Sequence, residues 1–165
     1  MKVLIHDLPD GSQNVLTAGS RDDVKIISND GTIKNCIGCF GCWIKTPGVC
    51  VIRDKYGDMG EVLSRCRELI IISQCFYGGF SPFVKNILDR SISYLHPYFR
   101  VINNEMHHRQ RYDNHFDLSV WFYGQDITEA EKQTAEKLVQ ANAVNLDCSV
   151  QAVHFVRDIT AVAAV

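Results

Sequence analysis

The sequence predicts an α/β protein built on a doubly wound, five-stranded parallel sheet, and three observations carry that expectation. The first is Leu69-Ile70-Ile71-Ile72, an uninterrupted apolar run rich in β-branched residues and too short for a membrane span. Such a run suits a strand covered on both faces at the centre of a parallel sheet. The second is a regular alternation of strand-like runs with helix-like stretches and few hairpin signals. The third is the passage from that run through Ser73-Gln74-Cys75-Phe76-Tyr77-Gly78-Gly79-Phe80 into Ser81-Pro82. Ser81 is a good N-cap and Pro82 a good first helical residue, so strand, loop and helix follow one another directly.

Lys2 to His6 reads as the first strand. Asp23 to Ser28 reads as the second, after a connection that offers Val15, Leu16 and Ala18 for at most a turn or two of helix. A parallel crossover needs about a dozen residues or more, so this one is close to the minimum. Asn29-Asp30-Gly31-Thr32 is a turn. Asp58 and Glu61 have capping-box spacing ahead of a helix whose stripe is Met59, Val62, Leu63 and Cys66. After the central strand, Val84, Ile87, Leu88, Ser91, Ile92 and Leu95 follow helical spacing. The regular structure is expected to end near His96 to Arg100. A long polar loop to His115 follows, and loops of that length are usually functional or interface-forming. Leu118 to Tyr123 is the fourth strand. Thr128 and Glu131 cap a helix running to about Asn145, and Ser149 to Val156 is the fifth strand. Arg157 to Val165 is too short for a usual closing helix, so the first and last helices are expected to be short or absent.

A chain of 165 residues, 46% hydrophobic, suits a single domain over residues 1–165. A net charge of −2 gives no electrostatic reason to expect nucleic acid. No apolar run reaches membrane-spanning length, and Met1 to Asp7 is too short for a signal peptide. Seven cysteines without a secretory signal read as reduced thiols of a cytoplasmic protein.

Three stretches are candidates for chemistry. Ligands of open α/β sheets sit outside the carboxyl ends of the strands, where the loop Gln74 to Phe80 falls. That loop can wrap a planar aromatic ligand, with backbone amides donating and Phe76 or Tyr77 stacking. The same loop can also simply close the core. Cys36, Cys39, Cys42 and Cys50 form a C-x2-C-x2-C-x7-C array. Four thiolates at such spacing can hold an iron–sulfur cluster, and zinc is an alternative. Small buried thiols filling space is the preferred reading, because Cys66, Cys75 and Cys148 lie outside any array. The Asp10 to Asn14 turn can hold a phosphate only weakly without a full helix behind it. His107-His108 can bind metal or substrate, or be solvated.

Through Cys36-Ile37-Gly38-Cys39-Phe40-Gly41-Cys42-Trp43, Lys45-Thr46-Pro47-Gly48 and Cys50, the chain resembles the flavodoxin-like NAD(P)H-dependent FMN reductases, relatives of the iron–sulfur flavoproteins. The likeness continues through Asp58-Met59, the Ser73 to Ser81 loop, Lys85, Leu88-Asp89-Arg90, Met106-His107-His108 and Phe122 to Thr128. The resemblance implies a flavodoxin fold, FMN held by loops after strands one, three and four, and reduction by NADH or NADPH. It sets the FMN ring against Ser73, Gln74, Cys75, Phe76, Tyr77 and Gly78, with Tyr123 and Gly124 nearby, and puts Ser12 and Asn14 in the phosphate loop. It implies no catalytic side chain, because the cofactor does the chemistry. Two departures stand out. The family's Gly-Ser-Pro phosphate loop is replaced by Leu8 to Asn14, and its Ser-Pro-x-Tyr ring loop by Ser73-Gln74-Cys75-Phe76. A flavin-free relative serving as a binding subunit and a cluster-bearing iron–sulfur flavoprotein therefore stand beside the FMN reading. The electron acceptor is a small molecule or a protein. With short outer helices, one face of the sheet is expected to be bare and to be covered by a second copy, giving a homodimer or higher oligomer.

Overall fold

The computed structural model describes residues 1–9 and 23–162. Five strands form the parallel sheet: β1 (Lys2–His6), β2 (Val24–Ser28), β3 (Glu68–Gln74), β6 (Phe116–Tyr123) and β7 (Cys148–Val156), in the order β2-β1-β3-β6-β7. Between them run α1 (Gly41–Ile44), α2 (Met59–Ser64), α3 (Pro82–Arg90), a hairpin of β4 (Leu95–Ile102) with β5 (Glu105–Gln110), and α4 (Glu129–Leu146). The fold class is the expected one, and the central run is indeed flanked on both sides. Ile70 is opposite Leu4 on one neighbour and Ser119 on the other.

Side chains alternate across the sheet. Val3, Ile5, Leu69, Ile71, Leu118, Val120 and Phe122 join Met59, Leu63, Val84, Ile87, Ala135 and Val139 from the helices in the larger core. Leu4, Ile70 and Ile72 point the other way, where Leu8 and Val162 pack on them. This second face was expected to be bare, and it is not: Leu4 and Ile70 are 2% exposed and Ile72 is 0% exposed. Among the described residues, the chain ends there in a short 3-10 turn, Ile159–Ala161, rather than a closing helix.

The caps divide. Ser81 accepts from the Val84 N–H with Pro82 behind it, and Thr128 with Glu131 completes a reciprocal box. The Asp58 box does not form: Asp58 makes no side-chain cap. Glu61 instead takes Arg65 Nη2 at 2.6 Å, the ordinary i,i+4 partner on an exposed face. The helical spacing from Val84 to Leu95 is also cut short. The α-helix stops at Arg90, a 3-10 turn covers Ser91–Tyr94, and Leu95 opens β4.

The largest correction concerns the polar loop. It is a β-hairpin, turned at Asn103 and Asn104, both with positive φ (51° and 65°). Two successive left-handed residues make the turn whose twist suits a two-residue hairpin, and asparagine tolerates that conformation better than other residues with a side chain. The hairpin is anchored on the end of α4. Arg100 Nη2 meets Asp147 Oδ1 at 3.1 Å, Gln110 also bonds Asp147, and His107 Nδ1 is 3.0 Å from Asn145 Oδ1. Arg111 donates to the carbonyls of Ser93 (3.0 Å) and Leu95 (3.2 Å) at its base.

Candidate functional site

The strand order reverses direction between β1 and β3, so their carboxyl ends form the crevice where open α/β sheets take ligands. Asp7, directly after β1, sits in it. Its carboxylate accepts from the Gln74 N–H at 2.9 and 3.2 Å. Burial, then the charge and hydrogen bond of Asp7, push the Tyr123 phenol far above its ordinary range. Asp7, Gln74 and Tyr123 thus meet across three strand ends. Sequence reasoning named the last two and missed Asp7, which carries no motif and is visible only once β1 and β3 pair. His6 beneath it is 1% exposed, and its Nδ1 accepts from the Leu8 N–H at 3.3 Å. Burial lowers the His6 pKa against the pull of Asp7.

The aromatic loop is a tight turn raised on a strut. Phe76 and Gly79 exchange backbone hydrogen bonds of 2.9 and 2.8 Å around Tyr77 and Gly78, both at positive φ. Tyr77 is therefore thrust out, 91% exposed, with Phe76 40% exposed. Cys75 holds the loop to β6 through its N–H on the Tyr123 carbonyl at 2.9 Å. Ser73 is buried, accepts from the Ser81 N–H at 2.8 Å and donates to the Gln74 carbonyl at 2.9 Å. It braces the loop from below rather than facing the crevice. Gly124 lines a separate cavity of about 390 Å3 with Thr128, Lys132 and Arg157. Ser12 and Asn14 lie outside the described residues.

A second cavity, about 560 Å3, gathers all four cysteines of the array: Cys36, Cys39, Cys42 and Cys50, with Arg90 and His108. Local geometry brings them there. The Cys36 N–H donates to Asn86 Oδ1 at 2.9 Å, and the Cys50 N–H donates to the Gly57 carbonyl at 2.9 Å. A Cβ on Gly41 would stand 2.6 Å from Val51 Cγ1, so only glycine lets α1 pack so close. Trp43 Nε1 donates to the carbonyls of Ile92 (3.1 Å) and Leu95 (3.0 Å), pinning the segment to the hairpin base. Burial first, then the nearness of Cys50, push the Cys42 thiol up. Among the described residues, no three His, Cys, Asp or Glu side chains stand close enough to hold a single metal ion. His107 and His108 part company: the first bonds Asn145, and the second stacks on Phe99 and meets Trp43 at a tilt, with ring centroids 4.8 Å from each.

The two sites lie at opposite ends of the helices. The crevice loops lead into α3 and α4, whereas the cysteine cavity is lined by residues 88–91 and by Asn142 and Asn145. At about 1.5 Å per residue, Asn142 is roughly 20 Å along α4 from Thr128.

No protein-family model matches this sequence, and no curated protein matches it in sequence. Solved structures match its fold. A Trp repressor binding protein from Bacillus subtilis is 12% identical over 96% of this chain and 88% of its own, with a TM-score of 0.57. An NADPH-quinone reductase from P. pentosaceus is 9% identical over 94% of this chain and 84% of its own, also at 0.57. General stress protein 14 from Treponema denticola, solved in complex with FMN, is 10% identical over 94% and 85%, at 0.52. With the strand order, these likenesses define a flavodoxin-like α/β protein. No helix among the described residues is long and apolar enough to cross a membrane.

Proposed function

We propose that this chain is an FMN-binding oxidoreductase or electron-transfer flavoprotein that takes its electrons from NADH or NADPH. The observation that carries this reading is the switch point between β1 and β3, where Asp7, Gln74 and Tyr123 meet next to an exposed aromatic turn. FMN in a structural neighbour of the same fold adds support. The Cys75 to Gly78 turn offers backbone and aromatic surface for a flavin ring, which suits a planar heterocycle. A carboxylate at Asp7 opposes a phosphate instead, so the ring is the part held best. Bound flavin supplies two-electron chemistry, and the chain's own groups position and shield it.

Visible absorbance during titration with FMN, followed by NADH or NADPH, tests the proposal. Perturbed flavin bands that bleach with the nicotinamide support it. Unchanged bands at tens of micromolar protein leave the flavin-free relative as the reading.

A second reading rests on one observation: the four array cysteines line one cavity. A single zinc needs each thiolate about 2.3 Å from the metal. An iron–sulfur cluster spreads its four thiolates more widely, one on each iron. Cys36, Cys39, Cys42 and Cys50 are the residues that would hold it, beside the positive Arg90. Iron and sulfide analysis after anaerobic preparation separates this reading from packed thiols.

A further inference from the structure

The hairpin is fixed on one side and bare on the other. Arg100 and His107 point to Asp147 and Asn145 on α4. Phe99, Val101, Met106 and His108 take the alternate positions, with Phe99 paired to His108 and Val101 to Met106. Phe99 is 59%, Val101 73% and Met106 69% exposed. This apolar strip continues without a break onto the cysteine segment. His108 packs at a tilt against Trp43, and Trp43 stacks on Phe40 with ring centroids 5.2 Å apart. Ile37, Phe40 and Ile44 are 74%, 49% and 77% exposed there. Ile37, Phe40 and the exposed Cys39 are also lining residues of the cysteine cavity, so the strip borders its mouth.

We propose that this strip is a twofold interface with a second copy of the same chain, and that the partner closes the mouth of the cysteine cavity over Cys39. Large apolar side chains exposed to this degree offer on the order of 100 Å2 each. Six of them give roughly 600 Å2, most of the ~800 Å2 per partner that a stable interface buries. A twofold contact sets a patch against itself, which forbids a strong charge of one sign at its centre. Phe40, Trp43, Phe99, Val101, Met106 and His108 meet that condition. Apolar and aromatic residues with few charges are also what the buried centre of an interface contains. A two-stranded hairpin is only marginally stable alone, and cover on its second face completes it. The strip is apolar and exposed whichever group the crevice or the cavity holds.

Analytical ultracentrifugation of the protein as purified, from 0.1 to 50 micromolar, tests the interface. A dimer at the upper end is expected. V101K/M106K sets like charges against each other across the twofold and should weaken association about a hundredfold or more. Ile44→Lys, on α1 rather than the hairpin, is the independent variant and should also weaken it. Unchanged far-UV circular dichroism with a cooperative melt, lowered only by the lost association, shows that each variant folds. Alkylation of Cys39, read by peptide mass, should be at least tenfold faster in the dissociated variants than in the wild-type dimer. A wild-type monomer at 50 micromolar overturns the proposal, as does a dimer that both folded variants leave intact. Equal Cys39 alkylation in dimer and monomer overturns the closure of the cavity.

Discussion

Arg90 Nη1 lies 2.5 Å from Asp54 Oδ2 with both side chains out of water, 0% and 6% exposed. Arg90 also donates to the carbonyls of Lys34 and Ile52, each at 3.3 Å. One guanidinium thus ties the two ends of the cysteine segment to the last residue of α3. Removing one partner strands the other as a buried charge, which costs about 3–5 kcal/mol. Arg90→Met is expected to lower stability by that order in urea unfolding. Arg90→Met with Asp54→Leu should recover a good part of the loss, because no charge is then left alone.

Acid should act through the same pair. Burial pulls the Asp54 pKa up, but hydrogen bonds from Arg90, the Lys34 N–H and the Tyr56 N–H outweigh it and hold it below the usual carboxylate range. Its proton is therefore bound more weakly in the folded chain than in the unfolded one. The resulting stability is present above about pH 4, the ordinary Asp value, and is lost as pH falls through the lower folded pKa. Unfolding free energy measured from pH 6 to pH 2 should drop less steeply in the Arg90→Met/Asp54→Leu double variant than in wild type.

Asp7 should set the flavin preference. With a carboxylate bridging β1 and β3 where the phosphate end of FMN is expected, riboflavin should bind within about a hundredfold of FMN, some 2.7 kcal/mol. Asp7→Asn keeps an acceptor for the Gln74 N–H and removes the repulsion. It should tighten FMN several-fold and leave riboflavin nearly unchanged in fluorescence titrations. A larger riboflavin deficit would show a proper phosphate site.

Cys66 and Cys148 should be inert until the chain unfolds. Burial above all pushes the Cys66 thiol up to about 11 and the Cys148 thiol up to about 12. The thiolate is the reactive form, so almost none is present at pH 8. Iodoacetamide at pH 8, read by peptide mass, should modify neither in native protein and both in denaturant.

Gly78 should tolerate no side chain. Its φ is +77°, and a Cβ there would lie 2.8 Å from the Glu131 carbonyl oxygen and 2.8 Å from Thr134 Cβ on α4. Gly78→Ala is expected to cost about 1–3 kcal/mol in thermal or urea unfolding. It should also weaken flavin binding by displacing the turn that carries Tyr77.

The sequence alone determined the elements whose physics is local. An apolar, largely β-branched run such as Leu69 to Ile72 suits a buried strand, and Ser81-Pro82 and Thr128 with Glu131 supply their caps from neighbours three residues away. Those signals were enough for the parallel sheet and for the place of the Gln74 to Gly79 turn. Tertiary structure decided everything that needed two distant stretches at once. It moved Glu61 from a cap to Arg65 and buried Leu4, Ile70 and Ile72 on the face expected to be bare. It also made a hairpin from a polar stretch whose strands are held by Asp147 and Asn145 rather than by their own alternation. The same holds for the sites. Four cysteines are legible in the chain, but their shared cavity depends on Arg90, Asp54 and the hairpin. Asp7 reaches Gln74 only because β1 pairs with β3, 67 residues away, and no local pattern carries a contact closed at that distance.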